Sequence, residues 1–344
     1  MGETSSKKLE RLGRVADERG VIAAAAMDQR GSLRKSIAKA KRIDPSAVTS
    51  AMMAEFKCAV STVLTPYASA ILLDPEYGQP AIRAKAAKAG LLLAYEETGY
   101  DNTSPGRLSS LIPNMSVRRL IELGADCVKV LLYYAPDERA EIKEIKHAWV
   151  ERIGAECAGE DIPLFLECVA YDVQGGEGKD LAFARRKPEL VAGYMREFSK
   201  PWYRVDILKV EFPFNMTYVK GSRANRDGEW AYDRSEAIRA VIRAAEASPL
   251  PFIYLSAGVD DDVFRESIEI AGEAGVSFAG VLCGRATWKD GVPVYAEHGV
   301  KALEDWLADQ GVRNIQALNE ILRRVAKPWY DKLGVVPPWR MKKS

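Results

Sequence analysis

Residues 126–170 read DCVKVLLYYAPDERAEIKEIKHAWVERIGAECAGEDIPLFLECVA, and three segments of different period follow one another in them. The apolar run over 127–132 is short and closed by polar residues and a proline, as a buried strand would be. Residues 137–157 then repeat at helical spacing, with Ile142, Ile145, Trp149 and Ile153 expected on one face. A second apolar run occupies 163–169. Two such strands joined by an amphipathic helix are parallel, because antiparallel neighbours need only a tight turn.

The same unit recurs on both sides. Further apolar runs lie at 21–27, 68–73 and 91–95 upstream, and at 206–212, 252–255 and 278–283 downstream. Eight parallel strands with crossover helices predict a closed (β/α)8 barrel. No Pro-, Gly- or Ser-rich linker interrupts the series, so a single domain over 1–344 is expected, with its barrel core at about 20–310. A helix over 9–20 should precede the first strand, and a C-terminal extension over 327–344 should wrap or fray. The connection 215–233 is long and polar, and both a lid and a surface decoration fit it.

The chain has 344 residues, 47% hydrophobic and 28% charged, with a formal net charge of +1. That balance lacks the basic stripe of a nucleic-acid binder. No apolar run reaches membrane-span length, and MGETSSKKLERLGR carries no apolar core after its charges, so a cytoplasmic protein with no membrane partner is expected. Five scattered cysteines read as buried thiols. His147 and His298 are the only histidines, and neither has a partner at zinc-site spacing, so no metal is expected. Both lie in polar surroundings, expected to be exposed, which argues against a Ser-His-Asp hydrolase.

In such a barrel the functional residues sit at the carboxyl ends of the strands. Those ends carry Asp28, Gln29 and Arg30; Asp74 and Glu76; Glu96 and Glu97; Lys129; Glu167; Lys209 and Glu211; Ser256; Gly284 and Arg285. Strand alternation puts Lys209 on a face with Ile207 and Glu211, Glu167 with Phe165, and Lys129 with Cys127. If those faces line the barrel, three adjacent strands aim Lys, Glu and Lys at one small volume. A self-satisfied ion pair is the alternative, but two lysines and one carboxylate suit amine catalysis on a carbonyl better. Lys209 is the nucleophile this reading selects, with burial and the neighbouring Lys129 cation lowering its affinity for a proton. Glu167 is placed to move protons.

Two turns suggest a phosphate. Ser256-Ala257-Gly258 follows the seventh strand and Cys283-Gly284-Arg285 the eighth, where barrels commonly hold that group on backbone amides. Small residues permit close approach, and Arg285 supplies a bidentate donor.

The blocks MDQRGSLR, ILLDPEYGQPA, GLLLAYEETGYD, DCVKVLLYY, IPLFLECVAYD, DILKVEFPFN, IYLSAGV and GVLCGRATW, in this order, closely resemble the tagatose 1,6-diphosphate aldolases. These are class I, Schiff-base enzymes with a (β/α)8 fold. The resemblance spans about 9–329. It implies Lys209 as the Schiff-base lysine, Glu167 as acid/base, and Asp28 and Lys129 in the catalytic pocket. It implies Ser256, Gly258, Gly284 and Arg285 on the phosphate of the dihydroxyacetone phosphate half, and Gln29 and Arg30 on the distal anionic end. It implies no cofactor beyond the covalent Schiff base, and a phosphorylated ketose as partner. The activity implied is metal-independent cleavage of tagatose 1,6-bisphosphate to dihydroxyacetone phosphate and glyceraldehyde 3-phosphate, with related ketohexose bisphosphates as further substrates.

FPFNMTYVKG and SRANR after the Schiff-base strand depart from the family pattern, as does the tail PPWRMKKS. Two alternatives therefore stay open: a sulfofructose phosphate aldolase or transaldolase using the same lysine, and a phosphosugar-binding regulator without turnover. Apolar residues near Trp306, Trp329 and Trp339 are candidates for a homodimer interface.

Overall fold

A computed structural model describes residues 5–101, 103–176, 178–225, 228–335 and 337. Its strands are β1 (Ile22–Met27), β2 (Ala70–Leu73), β3 (Gly90–Ala94), β4 (Cys127–Tyr133), β5 (Leu164–Val169), β6 (Ile207–Val210), β7 (Phe252–Leu255) and β8 (Gly280–Cys283). Each pairs in parallel with the next and β8 pairs with β1, closing the ring in chain order. The helices are α1 (Ser6–Arg14), α2 (Gly31–Lys41), α3 (Ser50–Leu64), α4 (Gln79–Ala84), α5 (Val117–Glu122), α6 (Ala140–Gly159), α7 (Leu181–Phe198), α8 (Arg234–Glu246), α9 (Asp261–Glu273), α10 (Arg285–Trp288), α11 (Gly291–Trp306) and α12 (Val312–Val325). The expected eight-stranded barrel is present.

Alternation along each strand divides two cores. Ile22, Ala24 and Ala26, then Ala70, Leu72, Leu92, Ala94, Cys127, Phe165, Ile207, Ile253 and Leu282 fill the barrel. Val128, Val130, Leu164, Leu166, Leu208 and Val210 face outward and pack with the helices. The small alanines of β1 to β3 leave room at the mouth for long side chains rising from β4 to β6.

The barrel floor is closed by both ends of the chain. Leu12 and Val15 meet Trp329 there, all fully buried, and the Trp329 amide donates to Gly20 O at 2.9 Å. Trp329 was expected on the surface; the extension instead wraps under the barrel and uses it as a plug. Trp306 is half-buried, and Trp339 lies outside the described residues. The first helix is shorter than 9–20, because Asp17 Oδ1 takes the amides of Arg19 and Val21 and turns the chain into β1.

Two side-chain expectations also change. In α6 the buried stripe is Ile142, Lys146, Val150, Ile153 and Cys157, whereas Ile145 is 53% exposed. His147 is largely buried, bonded to the Tyr134 hydroxyl at 2.9 Å. Four cysteines are buried as free thiols and Cys58 is half-buried. The 215–233 connection is pinned by the Tyr232 hydroxyl, which donates to Ala184 O, and by a bridge between Val219 and Tyr232. None of its described residues lines the barrel mouth, and Arg226 and Asp227 fall outside the description. Among the described residues, no helix is long and apolar enough to cross a membrane.

Candidate active site

A cleft of about 650 Å³ opens at the carboxyl ends of the strands, lined among others by Asp28, Gln29, Arg30, Glu96, Lys129, Glu167, Lys209 and Arg285. Inward alternation continues past several strand ends and delivers these groups. Ile22, Ala24 and Ala26 are followed by Asp28, Leu92 and Ala94 by Glu96, Cys127 by Lys129, Phe165 by Glu167, and Ile207 by Lys209. Lys209 pairs in register with Glu167 on the neighbouring strand.

The predicted Lys–Glu–Lys convergence is real. Glu167 Oε2 lies 2.8 Å from Lys209 Nζ and 2.9 Å from Lys129 Nζ. Lys129 also reaches Asp28 Oδ2 at 2.8 Å and Glu96 Oε1 at 2.7 Å. It is therefore the counter-ion of three carboxylates, not the bare cation beside Lys209 that the sequence suggested. Burial alone would strip its proton, but Asp28, Glu167 and Glu96 together hold its ammonium well above the ordinary lysine range. Burial likewise opposes charge on Asp28 and Glu167, yet the ammoniums of Lys129 and Lys209 keep both carboxyls below their usual values. For Glu96 burial wins over Lys129 and Arg30, and its carboxyl is raised.

Glu96 had been noted at a strand end without a role. The alternation from Leu92 through Ala94 was the signal that would have placed it. Lys57 went unnoticed altogether. Fully buried on α3, it sits 2.6 Å from Asp74 Oδ2 and donates to the carbonyls of Met27 and Gln29 at 2.7 and 2.8 Å. Burial lowers its proton affinity despite Asp74. By gripping the backbone on both sides of Asp28, it fixes where that carboxylate points. A lone lysine inside the apolar run AMMAEFKCAV was the available clue.

Glu211, grouped with Lys209 by alternation, is elsewhere. β6 ends at Val210, and the Glu211 carboxylate accepts from the Ala170 amide at 2.7 Å and pairs with Lys187 of α7 at 3.1 Å. Arg30 is buried, with one nitrogen 2.9 Å from Glu76 Oε2 and another donating to Glu96 O at 2.7 Å; its Nε has no partner. The Gln29 amide nitrogen reaches Asp28 Oδ1 at 3.2 Å, beside the turn after β8, where a Cβ on Gly284 would come within 3.3 Å of it.

The two glycine turns meet across β7 and β8. Ala257 and Gly258 are both left-handed, with φ of 50° and 78°. A Cβ at Gly258 would sit 2.7 Å from Arg285 Cζ, so the bare glycine lets the guanidinium lie against the turn. Ser256 is buried beside it and Arg285 is exposed at the cleft wall. The site thus joins a small, cation-edged turn to a buried amine–carboxylate pair two strands away.

A model of the DeoC/LacD family aldolases matches residues 22–290. The chain belongs to this family. Among its curated relatives is the tagatose 1,6-diphosphate aldolase of Listeria monocytogenes serotype 4a, 50% identical over 334 residues that cover 97% of each chain. The tagatose 1,6-diphosphate aldolase 2 of Enterococcus faecalis is 50% identical over 96% of this chain and 98% of its own. The family resemblance read from the strand-end blocks is borne out. Among solved structures, a Schiff-base-forming fructose-1,6-bisphosphate aldolase superposes with a TM-score of 0.54 at 15% identity, covering 91% of this chain and 98% of that one. The fructose-bisphosphate aldolase of Plasmodium falciparum gives 0.68 at 10% identity, covering 95% and 97%. At those identities the likeness is one of fold, and this DeoC/LacD family member shares the aldolase barrel.

Proposed function

We propose that the protein is a class I aldolase that cleaves D-tagatose 1,6-bisphosphate to dihydroxyacetone phosphate and D-glyceraldehyde 3-phosphate, with related ketohexose bisphosphates as further substrates. The observation that carries the reading is the buried Lys209–Glu167 pair at 2.8 Å on adjacent strands. Relatives named for this activity at 50% identity over nearly the whole chain support the substrate class.

On this reading the Lys209 amine, after passing its proton to Glu167, attacks the ketose carbonyl C2. Glu167 returns a proton to the carbinolamine oxygen, water leaves, and a cationic iminium remains. Glu167 then takes the proton of the C4 hydroxyl. The C3–C4 electron pair moves into the iminium, releasing the aldehyde and leaving an enamine. Protonation at C3 and hydrolysis free dihydroxyacetone phosphate and restore Lys209. Lys129 stays charged throughout, since three carboxylates hold its proton, and with Asp28 it orients Glu167 and the substrate hydroxyls. Ser256, Gly258, Gly284 and Arg285 hold the phosphate of the dihydroxyacetone half.

The chemistry needs no metal, because the iminium is the electron sink. A lysine ammonium also fills the centre of the three carboxylates. Activity should persist in excess EDTA. A phosphorylated sugar is retained within the cell, so the reading implies a cytoplasmic enzyme. Borohydride reduction in the presence of dihydroxyacetone phosphate should leave a stable adduct on the peptide carrying Lys209. Lys209→Ala should abolish both adduct and turnover, and Glu167→Gln should slow turnover by roughly 10²- to 10⁴-fold. A folded wild-type protein that yields no lysine adduct would overturn the reading.

A further inference from the structure

We infer that the buried Lys57–Asp74 pair is a positioning device for turnover, clamping the Asp28 turn so that Lys129 and Glu167 stay aligned on Lys209; the inference rests on the aldolase reading above. Neither residue is among those that line the cleft. Both are fully buried, Lys57 on α3 and Asp74 one residue beyond β2. Their influence on the reaction must therefore pass through other residues.

The need for such a clamp lies in the local backbone. β1 ends at Met27, so Asp28 stands where the sheet ladder no longer fixes the chain. Side chains take over that task. Ala26 O accepts from Trp288 Nε1 at 2.9 Å, and Met27 O and Gln29 O accept from Lys57 Nζ at 2.7 and 2.8 Å. With Asp74 Oδ2 at 2.6 Å, the ammonium has one acceptor for each of its three N–H bonds. Asp28 is thereby held on both sides, and its Oδ2 meets Lys129 Nζ at 2.8 Å. Lys129 in turn lies 2.9 Å from the Glu167 oxygen that Lys209 shares. The contacts run unbroken from Asp74 through Lys57, the turn, Lys129 and Glu167 to the amine.

Each end of the clamp is itself held. Phe56, next to Lys57 in α3, packs edge-on against Trp288, with ring centroids 5.7 Å apart. Ser61, one turn on, donates to Ala81 O at 2.7 Å. Asp74 Oδ1 takes the amides of Glu76 and Tyr77 at 3.1 and 2.8 Å, which leaves Oδ2 for Lys57. Gly78 closes the same turn: its amide reaches Asp74 O at 3.1 Å, and a Cβ there would come within 2.2 Å of that oxygen. Burying an ammonium and a carboxylate is expensive, and an apolar pair of the same size often fills such a space without loss of stability. What an apolar pair lacks is donors for two carbonyls. The grip on the turn is what the charged pair adds, and supporting groups of this kind keep reacting groups within productive geometry.

The test separates grip from charge. Combining Lys57→Met with Asp74→Asn orphans no buried charge but takes the donor from both carbonyls. At temperatures where its unfolding curve shows it native, kcat for tagatose 1,6-bisphosphate should fall on the order of tenfold to a hundredfold, with KM changed little. Asp74→Asn alone should stay within about threefold of wild type. The new amide oxygen still takes the two turn amides, and Lys57, whose hold on its proton burial already weakens, keeps two N–H bonds for the two carbonyls as a neutral amine. In an Asp28→Asn background the paired change should cost several-fold less, because both act through one carboxylate. Lys57→Gln, one bond too short for the carbonyls, takes the place of the paired change if that protein does not fold, with the same loss expected. A folded variant with unmoved kcat overturns the inference. So does Asp74→Asn falling as far as the paired change, or a loss that multiplies in full with that of Asp28→Asn. Borohydride trapping of dihydroxyacetone phosphate on wild-type Lys209 tells the two readings apart: no adduct overturns the aldolase reading and this inference with it, whereas an adduct beside unmoved variants overturns the clamp alone.

Discussion

At the level of single residues, the site is a knot of opposite charges in which no member can be removed cheaply. Asp28, Glu96 and Glu167 surround Lys129, and Glu167 is shared with Lys209. Removing one partner from a buried pair leaves the other unpaired, at a cost of about 3–5 kcal/mol. The pH dependence has a definite sign. Asp28 and Glu167 titrate below their unfolded values of 3.8 and 4.5, so their contribution is fully present above those values and lost as pH falls through the folded ones. Asp28→Asn should therefore be less stable than wild type at pH 7, and the gap should close on acidification. Urea unfolding of both proteins between pH 7 and pH 3 checks this; a gap that widens toward low pH would contradict it. Lys209, Glu167, Lys129 and Asp28 were legible beforehand because strand alternation is local. The role of Lys57 was not, because its partner Asp74 and the carbonyls it grips lie on other elements.

Among the elements, α6 shows how far a helical pattern carries. Its boundaries follow from the apolar period, but a lysine, Lys146, occupies the stripe where Ile145 was expected. The adjacent position wins because Lys146 reaches the Tyr171 hydroxyl and lies 4.6 Å from that ring's centroid. Burial pushes Lys146 down to about 8 from an ordinary 10.5. Its proton is thus bound more weakly in the fold than in the unfolded chain, and between those two values the unfolded chain carries more protons. Stability must rise with pH across that window and be independent of this group below it. Relative to Lys146→Met, which cannot titrate, wild type should gain up to about 1.4 kcal/mol per pH unit from pH 8 toward 10.5. Denaturant titrations of the pair at pH 7, 8.5 and 10 measure it, and parallel curves would refute the assignment. Strand β6 teaches the complementary lesson. Alternation held only while the strand lasted and misplaced Glu211; two residues past Lys209 the chain has left the sheet, and Lys187 of α7 claims the side chain.

For the molecule as a whole, closure is the governing fact. β8 must pair with β1, and the floor of the resulting ring must be sealed. Leu12, Val15 and Trp329 perform that sealing from opposite ends of the chain. Trp329→Ala should cost about 3–5 kcal/mol, the range for emptying a large aromatic site. Its thermal midpoint should drop while the dihydroxyacetone phosphate adduct still forms on Lys209 at low temperature, because the plug lies at the opposite end of the barrel from the amine. The number of strands, their parallel order, the barrel and the residues that terminate its inner faces were all set by the sequence by itself. Each of these depends on periodicity over a few residues or on repetition of one unit. What only tertiary structure decided was which charges neutralise one another, that Arg30 is spent on Glu76 and Glu96, and that a tryptophan of the tail is core. Those outcomes depend on distances between segments far apart in the chain, and only closure of the ring determines such distances.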